Sequence, residues 1–173
     1  MIYHLRTVTT MTSREPLRGG CSCGRNQYMI VIPDDDSVGR AEVIFDSSRD
    51  HRRFQGAPLT AWLRVPLTWY RSQTYSYYPD ETHAAIRRTF TPVHAPHSQR
   101  NFCGFCGTPL TYWTESPPEE ADYMSVTLGS LFSDDLRMLE DLELLPRDST
   151  EDGSDRSPPA ATDTTSESTP PAT

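Results

Sequence analysis

No stretch of this sequence approaches the roughly 20 consecutive apolar residues that a membrane-spanning helix requires, so no membrane association is expected. Residues 1–18 also lack the apolar run that directs secretion, which makes cytoplasm or nucleus the expected compartment. An excess of basic charge is missing too: 16 basic residues face 24 acidic ones, for a net charge of −8. A mildly acidic chain has no general attraction for nucleic acid or anionic lipid, so neither is an expected partner. Hydrophobic residues make up only 35% of the chain, and the shortage concentrates in residues 147–173. That segment contains no Leu, Ile, Val, Met or aromatic residue, and half of the net charge lies in it. It cannot bury enough apolar surface to offset its ordering entropy. The expected organisation is an N-terminal extension at 1–18, one folded domain at 19–146, and a disordered acidic tail rich in Ser, Thr and Pro at 147–173.

Long helical periodicity and internal repeats are likewise missing from the body. What is there is a series of short apolar or alternating segments at 27–32, 41–46, 59–65, 74–78, 86–90, 110–113 and 123–128. Turn signals separate them: Pro33-Asp34-Asp35-Asp36, Gln55-Gly56-Ala57-Pro58, Tyr78-Pro79-Asp80 and Ser116-Pro117-Pro118. The pattern predicts a mainly β, antiparallel fold. One short C-terminal helix is expected, capped at Ser133 or Asp134, with Leu136, Met138, Leu139 and Leu142 on its apolar side and Pro146 as its stop.

Cysteine is scarce, and its placement carries the chemistry. The four cysteines form two short pairs, Cys21-Ser-Cys23-Gly24 and Cys103-Gly-Phe-Cys106-Gly107. A Cys-x-x-Cys-Gly turn aims two sulfurs at one metal, and the glycine allows the backbone to turn after the second ligand. A redox pair would sit at the start of a helix in a βαβ setting, whereas Thr108 to Trp113 reads as a strand. Four thiolates form a closed tetrahedral set suited to one structural zinc, with free thiols or disulfides as the alternatives. Cys23 and Cys103 lie 80 residues apart, so such an ion would staple distant parts of the chain.

Beyond the cysteines, four stretches occur in order: Gly19-Gly20-Cys21-Ser22-Cys23-Gly24 with Tyr28; Gly56-Ala57-Pro58 with Trp62; Arg100-Asn101-Phe102-Cys103-Gly104-Phe105-Cys106-Gly107-Thr108-Pro109-Leu110; and Val126-Thr127-Leu128-Gly129-Ser130-Leu131. In this set the chain resembles the glutathione-dependent formaldehyde-activating enzymes and their relatives, which include centromere protein V. The resemblance implies an Mss4-like antiparallel β fold stapled by a structural zinc on Cys21, Cys23, Cys103 and Cys106. It also implies carbon–sulfur lyase activity on adducts of formaldehyde with glutathione or a related small thiol. In that family a second, catalytic zinc is held by a Cys-His-Cys-x-x-Cys motif just before the Gly-Ala-Pro stretch.

Here that segment is Asp46-Ser47-Ser48-Arg49-Asp50-His51-Arg52. The three ligand cysteines of the family fall on Asp46, Ser48 and His51, and its histidine on Ser47. A carboxylate, a hydroxyl and an imidazole replace three soft sulfurs, so the second zinc is expected to be absent and the activity weak, altered or lost. Three readings of the segment stay open. It is an ordinary strand end and solvated turn, with Asp46 capping and His51 exposed; or an altered metal site drawing on Asp46, His51 and His94 or His97; or an Asp46–His51 acid–base pair without metal. Arg49, Arg52 and Arg53 beside it could receive the carboxylates of a glutathione-like anion, or simply face solvent. The rival to an enzyme is a non-enzymatic protein-interaction module built on the structural zinc, with an unknown protein partner.

Overall fold

The computed structural model describes residues 14–34 and 40–145. The expected tail, Pro146 as a helix stop, and Asp35 and Asp36 of the first turn lie outside the described residues.

Strand formation follows the alternation of inward and outward side chains. β1 (Leu17–Gly20) and β2 (Asn26–Ile30) pair with β5 (Tyr70–Thr74) in a three-stranded sheet of order β1-β2-β5. β2 buries Asn26, Tyr28 and Ile30 and turns Gln27 and Met29 outward. The larger sheet runs β3-β4-β9-β8-β7-β6. Its members are β3 (Glu42–Asp46), β4 (Thr60–Pro66), β6 (Arg87–Phe90), β7 (Ser98–Cys103), β8 (Pro109–Thr114) and β9 (Tyr123–Thr127). Every strand pair in both sheets is antiparallel.

The core fills from both sheets and from a late helix. Leu17 and Ile30 of the small sheet, Leu63, Val65, Leu110 and Val126 of the large one, and Leu139 of α3 (Ser133–Asp141) are all 0% exposed. Each such side chain contributes about 1.5–3 kcal/mol when fully buried. The sheets are joined again at a bridge between Gly19 and Leu131, beside which Phe132 N–H donates to the Arg18 carbonyl at 3.0 Å. Tyr28 Oη and Ser130 Oγ share a buried hydrogen bond of 2.7 Å at the same seam. A Cβ on Gly19 would collide with the Tyr28 hydroxyl and the Ser130 carbonyl, so only glycine lets the strands approach this closely.

The antiparallel β architecture and the late helix are as expected. Six of the seven expected strands have counterparts within two residues at either end. The seventh, at 74–78, is displaced: the observed strand is Tyr70–Thr74, and Tyr75 to Tyr78 form a loop. β1, β7 and two short helices, α1 (Arg49–Gln55) and α2 (His83–Ile86), were not anticipated. α3 carries Asp134 and Asp135 in its first turn, where they complement the helix dipole. Its N-cap is Phe132, which makes no side-chain cap bond, rather than Ser133 or Asp134. The helix ends at Asp141, and Glu143 then adopts a positive φ of 59°. Among the described residues no helix is long and apolar enough to cross a membrane.

Candidate metal centre and the neighbouring cleft

Two turns bring the cysteines together. Cys21 and Cys23 lie between β1 and β2, where Gly24 N–H donates to the Cys21 carbonyl at 2.9 Å and Gly24 takes φ +78°. Cys103 ends β7, and Cys106 sits in the turn before β8. There Gly107 N–H donates to the Cys103 carbonyl at 3.0 Å with φ +75°. The two turns thus have the same left-handed exit, which explains both glycines.

All four Sγ atoms lie within 4.8 Å of one another, with Cys21–Cys23 at 3.5 Å and Cys23–Cys103 at 3.6 Å. Sulfurs about 2.3 Å from a tetrahedral zinc stand about 3.8 Å apart, so the gathered set fits one such ion. None of the four is in a disulfide. Donors point at the sulfurs as well: the Asn26 backbone N–H reaches Cys21 Sγ at 3.2 Å, and the Thr108 hydroxyl lies 3.1 Å from Cys106 Sγ. The Thr108 hydroxyl also accepts from Ser22 N–H at 3.1 Å, tying one cysteine turn to the other.

Thiol acidity reflects these surroundings. Burial works to raise the Cys106 thiol, but hydrogen bonds from the Thr108 side chain and from the Thr108 and Cys23 backbones outweigh it and bring it to about 6. Burial likewise opposes ionisation of Cys21, but hydrogen bonds, led by the one from the Asn26 backbone N–H, bring its pKa below the ordinary thiol value. Buried Cys103 is pushed up to about 12, chiefly by desolvation. A cation among them would favour thiolate at every position.

A clamp closes over this corner. The Arg25 guanidinium donates to Glu81 at 2.7 Å and stacks on Tyr77 and Phe105, 4.3 and 4.2 Å from the ring centroids. Tyr77 Oη donates to the Cys23 carbonyl at 2.7 Å. The hydrogen bonds from Arg25 lead the causes that hold Glu81 below the usual carboxylate range.

The second segment folds differently from a solvated turn. Asp46 Oδ1 accepts from Ser48 N–H at 2.6 Å, a turn that leads into α1, but Asp46 does not cap that helix, whose N-cap is Ser48. One face of that helix turns His51, Phe54 and Gln55 inward while Arg49, Arg52 and Arg53 stay exposed. His51 is only 8% exposed, with Trp62 and Tyr112 edge-on to its ring at centroid distances of 5.2 and 4.6 Å. Burial is the main reason its pKa falls below the ordinary histidine value. His51 Nδ1 stands 3.7 Å from Asp46 Oδ2 and has no hydrogen-bond partner.

His94 and His97 lie apart from this imidazole, exposed on the loop before β7. His94 pairs with Asp50, and His97 Nδ1 meets Glu115 Oε1 at 3.0 Å. Among the described residues, the four cysteines are the one group of three or more His, Cys, Asp or Glu side chains placed to hold a metal ion. Ser48 contributes the α1 N-cap position without a side-chain cap bond.

Sequence reasoning missed Asn26 and Thr108 beside the sulfurs and Arg100 in the cleft it shares with His51. The signal for Arg100 was present: one charged residue on the inward register of β7, in the order Ser98-Gln99-Arg100, where Ser98 and Arg100 are buried and Gln99 is exposed.

No family model matches the chain, and no curated protein matches it. Among solved structures it is similar to a Rhodobacter sphaeroides protein determined as a structural-genomics target, with 18% identity, a TM-score of 0.47, and coverage of 71% of this chain and 94% of that one.

Proposed function

We propose that this chain is a zinc-stapled β domain related to the formaldehyde-activating enzymes, in which the catalytic zinc has been lost and the carbon–sulfur lyase reaction with it. The observation that carries this reading is the contrast between two corners of one fold. Four sulfurs gather within 4.8 Å at the first. At the second, the positions matching the family's ligand cysteines are a carboxylate bound to the Ser48 backbone N–H, an N-cap serine and an imidazole packed between aromatic rings. The zinc is structural in this proposal: Cys21, Cys23, Cys103 and Cys106 fill its tetrahedral shell and leave no open position for water or substrate.

The test is native mass spectrometry of the purified chain together with an assay for glutathione-dependent consumption of formaldehyde. One zinc per chain without turnover is the expected result, with the zinc lost in Cys103→Ser. Two zinc ions per chain accompanied by turnover would reject the proposal.

A further inference from the structure

The most unusual charged group in the fold is Arg100. It is 3% exposed, and its Nε is buried without a hydrogen-bond partner. Among the described residues its guanidinium forms no ion pair. Two carboxylates are near enough to feel its charge, Asp46 and Asp50, but both are engaged elsewhere, Asp46 with Ser48 N–H and Asp50 with His94. Faces of aromatic rings lie beside it, Tyr112 at 5.3 Å and Phe54 at 5.7 Å. A guanidinium cannot shed its proton to escape burial, so an enclosed arginine ordinarily carries a carboxylate or phosphate partner.

Open space borders this cation. One cleft of about 510 Å³ runs from Arg100 past Phe54 and Arg53 to Phe90 and Val93, which are 50% and 98% exposed. A second, of about 310 Å³, is lined on its polar side by Ser48, Arg49, Asp50, His51 and Ser98 and shares Arg100 as a wall. Arg49 and Arg53 of the α1 arginine cluster therefore border the two clefts. His51, which shares the second cleft with Arg100 and is close enough to feel its charge, also has a buried Nδ1 without a partner.

We propose that the larger cleft binds a small organic monocarboxylate, with its anionic end on the Arg100 guanidinium and its apolar body against Phe54, Phe90 and Val93. One buried guanidinium matches the two oxygens of a carboxylate. The local charge favours a single negative charge over two: Arg100 and Arg53 are offset in part by Asp50, which pairs with His94 on the same wall, and burial keeps the nearby His51 toward its neutral form. Phe90 and Val93 give the rim an apolar character that a free inorganic anion would not use. The inference stands apart from the zinc reading, because none of these groups touches a cysteine of the candidate metal centre.

The experiment is titration of the full-length, metal-loaded chain with benzoate, acetate and inorganic phosphate, followed by amide and arginine Nε–H chemical shifts, with zinc content measured on the same sample. Benzoate should shift Phe54, Phe90, Val93 and the Arg100 Nε–H saturably and bind about tenfold more tightly than acetate. Arg100→Gln should weaken benzoate by about tenfold or more. Should that variant lose amide dispersion, Val93→Asp supplies the test, since an almost fully exposed side chain can be charged without disturbing the fold and should repel the ligand. Four results would overturn the proposal: no saturable shift, shifts centred elsewhere, unchanged benzoate affinity in a folded Arg100→Gln or in Val93→Asp, or phosphate binding more tightly than benzoate.

Discussion

His51 shows how far one residue's surroundings can depart from its sequence context. It sits in the run Ser48-Arg49-Asp50-His51-Arg52-Arg53, polar on both sides, yet it is packed between Trp62 and Tyr112. Burial depresses its pKa below 6.5, so between the folded and unfolded values the unfolded chain binds more protons than the folded one. Stability should therefore be full above pH 6.5 and decline as pH falls through the window beneath it. Thermal melts of the wild type and His51→Gln over that window give the check: the variant should lose the part of the pH dependence that lies just below 6.5, while any dependence due to thiolate protonation persists in both. At the sheet seam a different constraint applies. Gly19→Ala forces a methyl group against the Tyr28 hydroxyl and the Ser130 carbonyl, and overpacking of this kind costs about 1–3 kcal/mol. Urea unfolding should show that loss, whereas Gly129→Ala, where a Cβ meets nothing within 4 Å, should cost far less.

At the scale of elements, what the sequence reveals depends on how much of the pattern is local. β4 and β9 carry enough apolar side chains, Trp62, Leu63 and Val65 in one and Met124 and Val126 in the other, to be legible unaided. β7 reads Ser-Gln-Arg-Asn-Phe-Cys, and its strand character comes from pairing with β6 on one side and β8 on the other. β1 is only Leu-Arg-Gly-Gly, held by its ladder to β2. α1 was hidden for a third reason: its inward face consists of His51, Phe54 and Gln55, too polar to register as an amphipathic helix. The loop at Tyr75 to Tyr78 reads as a strand in the sequence because its aromatics look β-forming, although Tyr77 serves the Arg25 clamp instead. That clamp yields its own prediction. Arg25→Ala removes the partner of Glu81 and the cation over Tyr77, so amide exchange should accelerate from Tyr77 to Glu81 while β4 and β9 stay protected. Uniform acceleration across the fold would show that the clamp supports more than this corner.

Taken whole, the molecule is two antiparallel sheets whose contact relies on a modest core, the Gly19–Leu131 bridge and the cysteine corner. Cys21 and Cys23 belong to the turn of the small sheet, and Cys103 and Cys106 to the end of β7 and its turn in the large one. A zinc ion there would bind the sheets across 80 residues of chain. The apparent affinity of structural zinc sites, about 10–16 kcal/mol, matches or exceeds the net stability of an ordinary domain. This was the most legible part of the site, since four cysteines admit few arrangements. The cleft at Arg100 was not legible, because its walls come from α1, β6, β7 and the loop before β7, which meet only in the fold. The most direct measurement of the central claim is circular dichroism of the purified chain during removal of its metal by a chelator, with zinc released per chain counted in parallel. The account predicts one zinc per chain and loss of the β signal as it leaves, restored by adding zinc back; a chain that keeps its β signal and cooperative melt with no metal bound and four free thiols would contradict it.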